Sequence, residues 1–273
     1  MRLSYRIAGV IDKEICFDLN VPSNPAGICV FLHGFKGFKD WGLFNEVSNF
    51  FASNNFAFLK LNFSHNGCSP DHLSDFVDLE AFGNNCYSYE LKDLMLVLDW
   101  IKLDSKLNDL PIHVIGHSRG AGIALLGGAQ DNRVVSVTSW ASVYDFKNRF
   151  VADLEAWKEA GVIYTRNGRT NQDMPLFYSF YTDYQNHKSE LDIPYWIKKI
   201  DKPLLLVHGT NDNAVLIDDV YKLKEAQPKA QLLVLQNADH TFGVKHPPLS
   251  KEFTEDLQNV VAETLAFILS VNA

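Results

Sequence analysis

The feature that most constrains this chain is its alternation, from about residue 27 onward, of short continuous apolar runs with segments of helical periodicity. GICVFLHG is a run of the kind that forms a central strand covered on both faces. Helical spacing follows at Phe44, Val47, Phe50 and Phe51, and then the strand-like AFLKLNF. Residues 87–103, YSYELKDLMLVLDWIKL, put Leu91, Leu94, Met95, Leu98 and Ile101 on one helical face. Strand PIHVIG leads into a helix through AGIALLGGA, and strand VVSVTSW follows. After a long interruption come strand PLLLVHG, helix IDDVYKLKEAQ, strand QLLVLQ and a last helix. That helix carries Phe253, Leu257, Val260, Val261, Leu265, Ile268 and Leu269 at spacings of three and four. Strands alternating with helices predict βαβ crossovers, hence a mostly parallel central sheet with helices on both faces. RLSYRIAG and ICFDLNVP, which end in Gly and Pro turn signals, predict an antiparallel start.

The interruption, residues 144–200, holds 12 aromatic residues in 57 positions, and no sheet strand is read in it. A segment of that length is usually a lid or binding element, and ligand pockets are lined by aromatic side chains. It is expected to be a cap between the sixth and seventh strands of a single domain spanning 1–273. A helical insertion whose aromatics pack on themselves is the alternative.

Charge and cysteines limit the setting. A net charge of −8 without a basic block makes nucleic acid and anionic membranes poor partners. No run of about 18 apolar residues predicts a membrane span. MRLSYRIAGVIDKEI lacks the apolar core and small-residue cleavage site of a secretory signal. Cys16, Cys29, Cys68 and Cys86 have neither C-x-x-C nor zinc-site spacing, which suggests reduced thiols in the cytoplasm; a Cys68–Cys86 disulfide stays open.

The chemistry centres on GHSRG, residues 116–120, where strand PIHVIG meets the next helix. G-x-S-x-G at a strand-to-helix turn is the nucleophile-elbow pattern: only small residues fit around the strained serine, and its hydroxyl projects above the carboxyl edge of the sheet. The Arg119 N–H, at the helix start, then points at developing negative charge. A serine hydroxyl needs a histidine to take its proton, and that histidine needs a carboxylate. Asp212, five residues beyond Val207 in PLLLVHGTNDNAV, is the candidate acid, with Asp145 as its rival. Asn-Asp-Asn is also a good turn sequence. Asp218 and Asp219 read as the first turn of a helix. His240, in QLLVLQNADHTF, is the candidate base, and His246, before two prolines, is weaker. His113 reads as a core residue, and His65, His72 and His187 as surface residues. In GICVFLHGFKG, the strand-HG-loop suggests the Phe35 N–H as a second oxyanion donor. HGFKGFKDWG is not a phosphate-binding loop, since it lacks G-x-x-x-x-G-K-[ST].

From FLHGFKG through IGHSRGAG and HGTNDNAV to NADHTF, nearly the whole chain resembles the α/β-hydrolase superfamily. The HGF and GHSRG pair is most similar to the dienelactone-hydrolase, feruloyl-esterase and prolyl-oligopeptidase-like branches. Carried over, the resemblance implies Ser118 as nucleophile, Asp212 as acid, His240 as base, and Phe35 and Arg119 as oxyanion donors. Ala121 stands where many relatives have a second glycine, and residues 144–200 match no family pattern, so the substrate is not implied. The expected activity is hydrolysis of a small-molecule carboxylic ester with a small, aromatic or apolar acyl group, without metal or organic cofactor. Amide or peptide cleavage by the same machinery, and a catalytically silent binding protein on this scaffold, are the rivals. A dinucleotide-binding oxidoreductase is disfavoured because GHSRGAGIALLGG lacks G-x-G-x-x-G. Oligomeric state is not legible.

Overall fold

A computed structural model describes residues 2–272. Eight strands form the main sheet: β1 (Arg2–Ala8), β2 (Glu14–Asn20), β3 (Gly27–Leu32), β4 (Phe56–Asn62), β5 (Ile112–His117), β6 (Val134–Trp140), β9 (Leu204–Gly209) and β10 (Gln231–Leu235). Their order is β1-β2-β4-β3-β5-β6-β9-β10. β1 pairs with β2, and β2 with β4, antiparallel; from β4 to β10 all neighbours are parallel. The expected mixed sheet is therefore present, with the parallel part in the middle.

Each central strand is buried on both faces, so its odd and even residues feed different cores. Ile28, Val30 and Leu32 of β3 pack with α3 (Tyr87–Leu103), α4 (Arg119–Gln130) and α8 (Ile217–Ala226). Cys29 and Phe31 pack on the other side with α1 (Phe44–Ser53) and α9 (Glu255–Val271). α9 is further tied to β6 inside the core, where Trp140 Nε1 donates to Thr264 Oγ1 at 3.1 Å. The short helix α2 (Leu79–Gly83) lies in the connection from β4 to α3.

β2 and β4 also carry an ionic cluster. Asp18 and Lys60 are register partners, and Lys60 is fully buried. Asp18 accepts from Lys60 at 2.6 Å and from Lys39 at 2.7 Å, and Asp40 pairs with both lysines. The cluster pins residues 39–40, just after the HGF turn, to the sheet; Asn62 Oδ1, which accepts the Lys39 N–H at 2.7 Å, adds a neutral tie.

Between β6 and β9, residues 144–200 form α5 (Leu154–Ala160), α6 (Ser179–Asn186), α7 (Ile193–Trp196) and a hairpin of β7 (Val162–Asn167) and β8 (Gln172–Phe177). The hairpin corrects the sequence reading, which has no strand here. VIYTRN and QDMPLF alternate weakly, and Pro175 in β8 argues against a strand unless it is an edge, which this two-stranded sheet provides. The aromatics pack largely on α3 and on one another: Tyr87 stacks on Phe146 at 3.8 Å, and Phe150 contacts Phe180, Tyr181 and Tyr184.

Candidate active site

Ser118 sits between β5 and α4 with φ 57° and ψ −121°, a backbone conformation that costs an L-residue on the order of 1–3 kcal/mol. Its N–H donates to Trp140 O at 2.8 Å, which fixes the turn to the neighbouring strand. The two glycines are required by close approach. A Cβ on Gly116 would lie 2.2 Å from Gly120 O, and one on Gly120 would lie 2.4 Å from His33 O. Ala121 fits, its N–H donating to Ser118 O at 3.0 Å.

Asp212 is buried in the loop after β9. Its Oδ1 accepts the N–H groups of Ala214 and Val215, both at 2.8 Å, and its Oδ2 lies 2.7 Å from His240 Nδ1. His208, fully buried on β9, donates from Nε2 to Val215 O at 2.9 Å and lies 3.3 Å from the same Oδ2. Burial alone would raise the Asp212 pKa. The neighbouring His208 ring, the hydrogen bond from His240, the charge of His240 and the Val215 N–H outweigh it and hold the carboxylate well below its usual range. Asp212 is thus ionised, and the His240 proton on Nδ1 faces it, leaving Nε2 as the basic nitrogen.

The HGF turn, which carries the expected oxyanion donor Phe35, packs against the serine. His33 is buried and donates from Nδ1 to Gly34 O at 2.8 Å; desolvation lowers its pKa to about 4, so it is neutral. Gly37 N–H to Gly34 O, 3.0 Å, closes the turn that carries Phe35. Gly34 abuts the serine: a Cβ there would be 2.9 Å from Ser118 Cβ. The Arg119 N–H is the first of α4, where helix geometry provides no acceptor four residues back. The Arg119 guanidinium stands over the Phe35 ring at 4.1 Å and pairs with buried Glu90 at 3.3 Å.

Ser118, His240, His117 and the turn 34–37 line one cavity of about 120 Å³, together with Trp41, Phe44 and Thr241. A larger cleft of about 650 Å³, near Tyr5, Val21 and Lys106, contains none of these groups. Among the described residues no group of three or more His, Cys, Asp or Glu side chains is arranged to hold a metal ion.

A family model described as the prolyl oligopeptidase family matches residues 73–266, more than half of the chain. The chain belongs to the prolyl oligopeptidase family. Within that family match lie Ser118, Asp212 and His240; Phe35 precedes it. No curated protein matches the sequence. Solved structures show the α/β-hydrolase fold of this family member from end to end. Est1E from Butyrivibrio proteoclasticus superposes with a TM-score of 0.71 at 15% identity, covering 98% of each chain. A putative hydrolase from Agrobacterium vitis gives 0.74 at 17%, covering 98% of this chain and 99% of that one. A dienelactone hydrolase from Anabaena variabilis gives 0.64 at 14%, covering 99% and 97%.

The remaining candidates fall elsewhere in this prolyl oligopeptidase family chain. Asp145 accepts the Lys147 N–H and has no bond to His240, and Asp218 and Asp219 are in the first turn of α8. His246 accepts the Gly42 N–H and packs on Trp41 and Phe38. His113 is a core residue bonded to Ser136 Oγ. His65 is not a surface residue. It is buried, bonds Ser64 Oγ at 2.9 Å and has its pKa lowered to about 4 by burial. His72 is exposed and His187 half-buried. All four cysteines are free, Cys68 and Cys86 included. No described helix is long and apolar enough to cross a membrane. Sequence reasoning passed over His117 and His208. The only signal for His117 is a polar residue inside the elbow itself.

Proposed function

We propose that the protein is a serine hydrolase that cleaves a small-molecule carboxylic ester through an acyl-enzyme. The observation that carries this reading is the 2.7 Å bond from His240 to an ionised, amide-held Asp212, in a loop that brings His240 to the cavity of the strained Ser118. His240 Nε2 takes the Ser118 proton as Oγ attacks the ester carbonyl, and Asp212 stabilises the imidazolium. The oxyanion forms between the N–H groups of Phe35 and Arg119, which need no reorganisation because the turn and the helix end hold them in place. His240 then protonates the leaving alcohol, and in the second half it activates the water that releases the acid.

Residues 144–200 act in this reading as a cap. Its hairpin reaches the rim of the site, where Arg166 O accepts from Lys36 Nζ at 3.0 Å. The structure of Est1E with ferulic acid bound, similar in fold to this chain, supports a small acyl substrate. The four free thiols are in keeping with action in the cytoplasm. The family match favours a second reading, cleavage of an amide or peptide bond by the same three residues. Labelling with a fluorophosphonate, followed by mapping of the adduct, tests the nucleophile: modification of Ser118 is expected, and an active protein that labels elsewhere or not at all overturns the assignment. Comparing an ester with the matching aminoacyl amide separates the two readings, with faster turnover of the ester expected.

A further inference from the structure

The Ser118 cavity has one lysine on its wall and no acid. Lys36, next to the proposed oxyanion donor, is half-buried and lines the cavity. No Asp or Glu lines it. Neighbouring cations have acidic partners: Lys39 pairs with Asp18 and Asp40, and Arg119 pairs with Glu90. Among the described residues Lys36 has no ion-pair partner within 4.0 Å, and its Nζ makes one hydrogen bond, to Arg166 O.

An ammonium has three donors, and the protein takes only one of them, which leaves two for a ligand. Its backbone is held in the left-handed region, φ 56°, and its Nζ lies 5.4 Å from the Phe35 ring. The hydrogen bond to the hairpin, itself open to solvent, holds the head group at the rim of the site. Burial and the charge of Arg119 both pull the Lys36 pKa down, which is the signature of a cation whose surroundings lack an anion. A chain with a net charge of −8 has this uncompensated cation beside its nucleophile. An anionic group on the substrate would supply the missing partner.

We propose that Lys36 is a specificity residue that selects esters bearing a second, ionised carboxylate. This rests on the reading of Ser118 as nucleophile and narrows its substrate class. The carboxylate accepts the two free ammonium donors while the ester carbonyl lies against the N–H groups of Phe35 and Arg119.

The test uses two pairs of esters, each pair differing in one carboxylate. In the first, 4-nitrophenyl butyrate is compared with 4-nitrophenyl hydrogen glutarate, which places the charge on the acyl side. In the second, methyl 4-acetoxybenzoate is compared with 4-acetoxybenzoate, which places it on the alcohol side. The readout is the anionic-to-neutral ratio of kcat/KM within a pair, for the wild type, Lys36→Met and Lys36→Glu. The ratio cancels any loss of folded enzyme. In at least one pair the wild-type ratio is expected to drop about tenfold in Lys36→Met, further in Lys36→Glu, and to decline with added salt. Ratios that are equal in all three proteins overturn the proposal, even if every ester is hydrolysed. Absence of turnover together with absence of Ser118 labelling instead overturns the serine-hydrolase reading on which it rests.

Discussion

His117 Nε2 donates to the main-chain carbonyl of His240 at 2.8 Å, so the residue before the proposed nucleophile holds the loop of the proposed base. The two rings are 4.9 Å apart. Desolvation, and then the charge of His240, lower the His117 pKa to about 3, which keeps His117 neutral and its Nε2 proton committed to that carbonyl. The turn at Ser118 is thus tied through His117 to the loop of the histidine proposed to act on it.

Loss of this bond is expected to cost activity more than stability. His117→Ala should lower kcat by up to about tenfold, the worth of one hydrogen bond. His117→Gln, which can still donate to the His240 carbonyl, should recover part of it. Steady-state kinetics on one ester, for the three proteins at equal folded concentration, checks both.

The elbow also sets a packing limit. In Gly120→Ala the new methyl meets main-chain atoms, His33 O at 2.4 Å and Leu32 O at 2.5 Å, which cannot rotate away. The variant should lose about 3 kcal/mol. Urea unfolding should show it as a lower midpoint with an unchanged slope.

Asp93 on α3 gives the fold a pH dependence. It is fully buried and accepts the Ser64 N–H at 2.7 Å. Burial, against the pull of that hydrogen bond, pushes its pKa up from 3.8 to about 7. Between those values the folded state holds a proton that the unfolded chain releases. The contribution of Asp93 to stability is therefore greatest below about pH 4, falls as pH rises towards 7, and is flat above. Asp93→Asn keeps an oxygen for Ser64 and cannot ionise. Its stability relative to the wild type should rise across that window, as measured by denaturant unfolding at pH 4, 5.5, 7 and 8; a constant difference would contradict the assignment.

The parts legible in the sequence are those that local physics forces. A serine in a left-handed turn demands Gly116 and Gly120, and apolar runs ending at Val207 and Leu235 point to loops after strands, where Asp212 and His240 lie. Contacts made by distant segments are not written locally. The His117–His240 bond joins residues 123 apart. His208 is only four residues from Asp212, yet it reads as an ordinary strand residue until the loop after β9 turns Asp212 back beside it. His65 lies in NFSHNG, a polar stretch that reads as exposed, yet it is buried against Tyr89 of α3. The β7–β8 hairpin escaped because its strands need no strong alternation and tolerate Pro175. Lys60, a charge in the middle of a strand, becomes intelligible only with Asp18 and Asp40 around it.

The most direct measurement is turnover of a 4-nitrophenyl ester by the wild type and by Ser118→Ala, with folding of both verified by denaturant unfolding. If Ser118 is the nucleophile of the His240–Asp212 pair, kcat should fall on the order of a million-fold or to the limit of detection. A variant that keeps a tenth or more of wild-type activity would contradict the account.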